Sequence, residues 1–201
     1  MIRILVADDE HLIRDAIAGL LDLQDDFEVV GQAASGDEAI ATALRFRPDV
    51  ALLDLQMPAP DGIEVARRLA TELPACRSVI VTSHGRPGYL KSALAAGVRG
   101  FVPKTVSSRT LAHVVRKVAD GGRYVDPELA AEAISAGDSP LTPRETDVLA
   151  LARDGAPLDE IAQRISLSRG TVRNHLTAAI AKLGAANRHE AARIAAEHGW
   201  I

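Results

Sequence analysis

Asp8, Asp9, Asp54, Thr82 and Lys104 share a position in the sequence pattern, and their types suit one chemistry. Each stands at or just past the end of a short aliphatic run: Ile2 to Ala7, residues 49–54, Ser78 to Thr82, and Val98 to Val102. Runs of this length, too short for ordinary helices, read as buried strands. Three carboxylates gathered at strand tips repel, so one takes up a proton unless a cation neutralises them. Magnesium suits such a place, because it prefers oxygen ligands, needs only one or two carboxylates and keeps waters that a phosphate oxygen can replace. An ammonium and a hydroxyl supply the point charge and the donor that a phosphoryl group still needs. The set reads as phosphoryl acceptance by Asp54. The stretch around Asp54 does not decide this by itself, since an aspartate before Met57-Pro58 also serves as a loop cap.

The five side chains converge only if the runs form one sheet. Asp8-Asp9-Glu10 is followed by Leu12, Ile13, Ala16, Ile17, Leu20 and Leu21 at helical spacing. Phe27 to Val30 gives another strand, and Ser35-Gly36-Asp37-Glu38 has the capping-box form that opens a helix through Arg45. Asp61 caps a helix toward Glu72, Pro87 to Ala95 is helical, and Leu111, Ala112, Val114, Val115 and Val118 mark a last amphipathic helix ending at Gly121-Gly122. Five strands alternating with five helices in about 120 residues imply a parallel sheet with helices on both faces. In the flavodoxin-like order the first and third strands are neighbours, which gathers the tips around one crevice.

Composition narrows the function classes. The apolar and charged contents, 47% and 25%, are those of a globular chain. No apolar run is long enough to span a bilayer, and acids arrive too early for a signal peptide, so a cytoplasmic protein without membrane insertion is expected. Cys76 has no disulfide partner and is expected to be inert. With 3% aromatics a stacking platform for single strands is not expected. Residues 1–140 carry 15 basic against 20 acidic residues, and residues 141–201 carry 8 against 7, so the two parts are expected to meet different partners.

With these residues the chain resembles the receiver domains of two-component response regulators, whose fold is the CheY-like form of the flavodoxin-like sheet. The signals are Asp8-Asp9, Asp54 followed by Met57-Pro58 and Gly62, Thr82, and Phe101 three before Lys104. The resemblance implies that a sensor histidine kinase phosphorylates Asp54. It implies magnesium held by Asp9, Asp54 and the Gln56 backbone carbonyl, with Asp8 acting through water. Thr82 and Lys104 would hold the phosphoryl oxygens. Phe101 takes the place of a rotating switch residue that is more often Tyr. Pro103 and Thr105 flank Lys104 where other residues are usual, and His84 and Gln56 occupy positions that tune phosphate lifetime in the family or are simply polar loop residues.

Past Gly121-Gly122, Asp126-Pro127-Glu128 starts a short Ala-rich helix that Ala136-Gly137-Asp138-Ser139-Pro140 ends. The expected organisation is residues 1–120 as receiver, 121–140 as linker with a short helix, and 141–201 as a second domain. Thr142-Pro143-Arg144-Glu145 is a strong helix start, and four short helical segments without strand pattern suggest a helix-turn-helix unit, an all-α domain. In the third segment Val172, Leu176, Ile180 and Leu183 share one face, and Arg173, Asn174, Thr177 and Ala181 the opposite one. That outer face carries short side chains and one Arg. It suits a major groove, where Arg forks to guanine and Asn to adenine. Ser168, Arg169 and Thr171 lie at the helix N-terminus as phosphate contacts or caps.

Leu141 to Glu145, Glu160 to Ile165 and Gly170 to Leu176 resemble the LuxR-type DNA-binding domain, which together with the receiver gives the NarL/FixJ group. Arg86-Pro-Gly-Tyr89, Gly100-Phe101, Gly122-Arg-Tyr124, Arg173-Asn174 and Gly199-Trp200 are similar to the DesR type within it. The resemblance implies a transcription regulator acting on double-stranded promoter DNA, and places Arg173, Asn174 and Thr177 on the DNA. Pro157-Leu158-Asp159 replaces a usual Asn-Lys and removes one phosphate contact. A single recognition helix buries too little surface for a selective site, so a homodimer favoured by phosphorylation is expected. Residues 188–199 offer a fourth helix, which the resemblance assigns to pairing, and the receiver's first and last helices are candidates for the phosphorylation-dependent contact. Two other readings stay open. A phosphatase using an aspartyl-phosphate is disfavoured by Gln56, where a second acid is wanted. A regulator binding protein instead of DNA is the other.

Overall fold

The computed structural model describes residues 1–58, 60–83, 87–135, 139–153, 155–165 and 167–201. The chain forms two compact units, one over most of residues 1–130 and one over 131–201. Its elements begin β1 (Ile2–Ala7), α1 (His11–Asp22), β2 (Phe27–Ala33), α2 (Gly36–Phe46), β3 (Val50–Asp54), α3 (Gly62–Glu72), β4 (Arg77–Thr82), α4 (Pro87–Ala95), β5 (Gly100–Pro103), α5 (Ser108–Ala119) and β6 (Tyr124–Val125). The strands form one parallel sheet in the order β2-β1-β3-β4-β5-β6. This is the expected α/β architecture with one strand more. Tyr124-Val125 is two residues long, too short for any periodicity to announce it, and it joins the sheet by pairing with Gly100 and Phe101 of β5.

Alternation along each strand builds two cores. Ile4 and Val6, Val50 and Leu52, Val79 and Val81, and Val102 pack with Leu21 of α1 and Leu111, Val114, Val115 and Val118 of α5. The intervening positions Leu5, Leu53, Ile80 and Phe101 are just as buried and face the opposite way, where α2 and α3 meet each other and the sheet. The α5 guanidinium of Arg116 forks onto Asp26 (2.6 and 2.7 Å) and lies over the Phe27 ring. Cys76 is buried, and burial, with the charge of Asp49 adding to it, pushes its thiol up to about 12, which makes it unreactive.

Helix α1 departs from its apolar pattern. Leu21 is buried and Ile13 and Ile17 are half-buried, but Leu12 and Leu20 stand 81% and 44% exposed. The sheet has room for one stripe of the helix, and the second stripe, Leu12, Ala16 and Leu20 at i, i+4, i+8, is turned to solvent.

After α6 (Pro127–Ser135) come α7 (Pro143–Arg153), α8 (Leu158–Arg164), α9 (Arg169–Lys182) and α10 (Arg188–Glu197). The capping box forms as the sequence predicts. Thr142 Oγ1 accepts from the Glu145 N–H at 3.3 Å, and Glu145 Oε2 accepts from the Thr142 N–H at 2.7 Å. Val148, Leu149, Ile161, Val172, Leu176 and Ala179 make the core. Ala191, Ala192 and Ala195 of α10 are buried in this same core, so any pairing surface on α10 lies on its exposed residues, Arg193 and Glu197 among them.

Candidate phosphoacceptor site and recognition helix

The register of the sheet sets the site. Ala7 pairs with Leu53, Asp54 with Val81, and Thr82 with Pro103, so the next residue of each strand emerges at the same edge. The Lys104 N–H donates to the Thr82 carbonyl at 2.8 Å, extending the ladder one step past Pro103. An open cleft of about 280 Å³ results, lined by Asp9, Glu10, Asp54, Gln56, Thr82, Ser83 and Lys104. Carboxylate oxygens of Asp8, Asp9 and Asp54 lie within 4.8 Å of one another. This crowding of hard oxygen donors fits a divalent cation that keeps part of its water.

Electrostatics agrees with that geometry. Burial raises the Asp54 carboxyl to about 6; Lys104 pulls it down and Asp8 pushes it up. The Lys104 ammonium lies 2.7 Å from Asp8 Oδ2, 3.1 Å from Glu10 Oε1 and 3.5 Å from Asp54 Oδ2. Burial opposes its charge, but hydrogen bonds to Asp8 and Glu10 and the charge of Asp54 outweigh this and hold its pKa above the ordinary value. Asp8 is fixed in turn, because its Oδ1 accepts from the Glu10 N–H at 2.9 Å and its carbonyl from Arg14 at 2.6 Å. A carboxylate buried beside an ammonium and facing an open cleft can act as a nucleophile once a cation offsets the neighbouring acids.

Asp8, Asp9, Asp54, Gln56, Thr82 and Lys104 are therefore brought together. Phe101 is not at the cleft surface. It is fully buried on β5, so the aromatic at this position packs inward. His84 lies outside the described residues, as do Arg86 and residues 136–138. The motif pattern did not single out three further residues: Glu10 and Ser83, which line the cleft, and Arg14, which holds the Asp8 backbone. Glu10 directly follows the acid pair, and that adjacency is the signal that was available.

In the second unit α9 carries the expected faces. Val172, Leu176 and Ala179 are buried, with Ile180 and Leu183 half-buried, whereas Arg173, Asn174, Thr177 and Ala181 are exposed. Thr177 Oγ1 donates to the Arg173 carbonyl at 2.9 Å. Ser168 caps the helix by accepting from the Thr171 N–H at 3.1 Å, and the Arg169 Nε lies 3.5 Å from Asp159. The C-terminal turn is anchored by Lys182, whose ammonium meets the buried Glu145 carboxylate at 2.7 Å. Although burial pushes the Glu145 carboxyl up, the hydrogen bonds from Lys182 and Thr142 prevail and leave it below the ordinary range. A capped helix whose exposed face carries Asn174, Thr177 and Ala181 beside one Arg has a shape that suits groove insertion.

Known proteins match both halves. The response regulator receiver domain family covers residues 4–116, and the luxR family of bacterial regulatory proteins covers residues 139–195. The chain belongs to the two-component response regulators that join a receiver domain to a LuxR-type DNA-binding domain. The transcriptional regulatory proteins YvfU and DesR of Bacillus subtilis (strain 168) are each 40% identical to it over 201 residues, 100% of both chains. The crystal structure of the response regulator ChrA of a heme-sensing two-component system is similar, at 28% identity and a TM-score of 0.60, covering 100% of this chain and 98% of that one.

Proposed function

We propose that Asp54 accepts a phosphoryl group from a phosphohistidine of a sensor kinase, and that the phosphorylated chain pairs and binds promoter DNA through α9. The observation that carries this reading is the single ammonium of Lys104 set between Asp8 and Asp54 at the open strand tips. An Asp54 oxygen attacks phosphorus, the P–N bond breaks, and the imidazole nitrogen departs with the bonding pair and takes up a proton. Lys104 meets the oxygens of the incoming group with its charge, and the Thr82 hydroxyl lies at the cleft wall beside it. Magnesium, when bound by Asp9, Asp54 and the Gln56 carbonyl with Asp8 through water, supplies neutralising charge to those oxygens. The residue ranges that serve this reading are 1–120 for the receiver, 121–140 for the linker and 141–201 for the DNA-binding domain. The site is a switch in a cytoplasmic regulator, with no second acid at Gln56 to drive turnover.

Arg173 and Asn174 are assigned to base edges, Thr177 to the groove wall, and Arg169 and Thr171 to phosphates. Arg173→Ala is expected to weaken duplex binding by about ten-fold or more at fixed salt, since a forked base contact contributes about 1–3 kcal/mol. Gel shift with the phosphorylated protein at two salt concentrations measures this. Binding that ignores both the substitution and the salt points to a protein partner instead.

The exposed stripe on α1 supports pairing of two copies at the receiver. Among the described residues no helix is long and apolar enough to cross a membrane, so this stripe is not part of a span. Leu12→Glu is expected to keep the phosphorylated protein monomeric in sedimentation at concentrations where wild type dimerises. An unchanged dimer removes α1 from the interface.

A further inference from the structure

Glu10 is an anomaly of local structure. It is the N-cap residue of α1, yet its side chain makes no capping hydrogen bond. Ser, Thr, Asp or Asn at that position would satisfy a free N–H of the first turn. The Glu10 carboxylate instead reaches across the cleft to the Lys104 ammonium, 94 residues away in sequence, at 3.1 Å. A residue that forgoes its local role for a contact at a charged site is where function overrides propensity.

We propose that Glu10 is a positioning residue that restrains Lys104 in the unphosphorylated state and yields it to the phosphoryl group. This rests on the reading of Asp54 as the phosphoacceptor. An ammonium has three N–H donors, and three carboxylates surround this one, Asp8, Glu10 and Asp54. With the ammonium held at 2.7 and 3.1 Å by Asp8 and Glu10 and 3.5 Å from Asp54, it can move fully onto a phosphoryl oxygen when one of the two shorter contacts is released. Asp8 cannot leave, because its side chain is 3% exposed and tied to the Glu10 N–H. Asp54 carries the phosphoryl group itself. The Glu10 side chain is 57% exposed and can swing into water. The two shorter contacts, 2.7 and 3.1 Å, draw the ammonium toward the β1 side of the cleft, against 3.5 Å to Asp54. The Glu10 charge also repels an incoming phosphate dianion. Both effects hold phosphorylation down, and neither makes Glu10 a ligand of the metal.

Glu10→Gln keeps the shape and removes the charge. The full chain is labelled with a small phosphodonor at saturating magnesium, and the Lys104 side-chain NMR resonance is followed before and after labelling. E10Q is expected to label about two- to five-fold faster than wild type, the scale of a partly exposed charge pair. Its Lys104 resonance should differ from that of wild type before labelling and coincide with it afterwards. A structural role would not produce that convergence. Equal labelling rates with an unchanged Lys104 resonance overturn the proposal, as does a difference that persists after labelling. If wild type and E10Q both fail to label, the reading of Asp54 itself falls, and the inference falls with it.

Discussion

Asp54→Asn is expected to abolish labelling by a phosphodonor with magnesium and, in metal-free buffer at pH 7.5, to stabilise the folded chain by about 2–3 kcal/mol. Both effects come from one buried carboxyl. Its folded-state value of about 6 lies above the ordinary 3.8, so the native state binds a proton more tightly than the unfolded one. The contribution of this group to stability is fully present below about pH 4 and is lost as pH rises through about 6. Asn resembles the protonated acid and carries no such loss. Urea midpoints in a chelating buffer should therefore agree for wild type and D54N near pH 4 and separate by pH 7.5, with the variant more stable. Saturating magnesium should reduce the gap, because a cation that binds only the folded carboxylates stabilises wild type by mass action. Equal labelling of the two proteins removes Asp54 from its role. Coincident midpoints at pH 7.5 remove the strained carboxylate.

How far the sequence reaches is clearest by comparing Asp54 with Glu10. The strand that delivers Asp54 is an uninterrupted aliphatic run, and alternation with helical segments forces its neighbours to be parallel, so the meeting of Asp8, Asp54, Thr82 and Lys104 follows from topology. The contact of Glu10 with Lys104 follows from no pattern, since it depends on where one exposed side chain turns at a helix start. The apolar positions of α1 were ambiguous for a related reason. Leu12, Ile13, Ala16, Ile17, Leu20 and Leu21 cover more of the helix than a sheet face can bury, and spacing does not say which stripe is left out. In α9 the polar and apolar faces are distinct, so its inner and outer residues were legible. Ser83 and Arg14 had no motif to mark them, and the two-residue β6 had no length.

Gly62→Ala is expected to damage the site more than its single methyl group suggests. Gly62 is the first residue of α3, and its N–H donates to the Leu55 carbonyl at 3.1 Å. A Cβ placed there would stand 2.1 Å from the Asp54 carbonyl oxygen and 3.2 Å from the Leu55 Cα. Backbone lies on that side, so no side-chain rotation relieves the clash, and the β3 tip or the start of α3 must move. Overpacking of this kind costs about 1–3 kcal/mol or more. Because the displaced atom belongs to Asp54 itself, a shift of a few tenths of an ångström reaches the carboxylate that is proposed to meet phosphorus. The expected result is a urea midpoint lowered by that cost and phosphodonor labelling reduced by at least about ten-fold. Gly19→Ala provides the contrast. Gly19 lies within α1, nothing stands within 4 Å of its added Cβ, and alanine there should stabilise the helix by about 0.5–1 kcal/mol. If G62A and G19A behave alike in both measurements, the close approach of α3 to the β3 tip does not set the position of Asp54. If G62A folds with wild-type stability but labels poorly, the backbone has yielded at the site and the strain appears there alone.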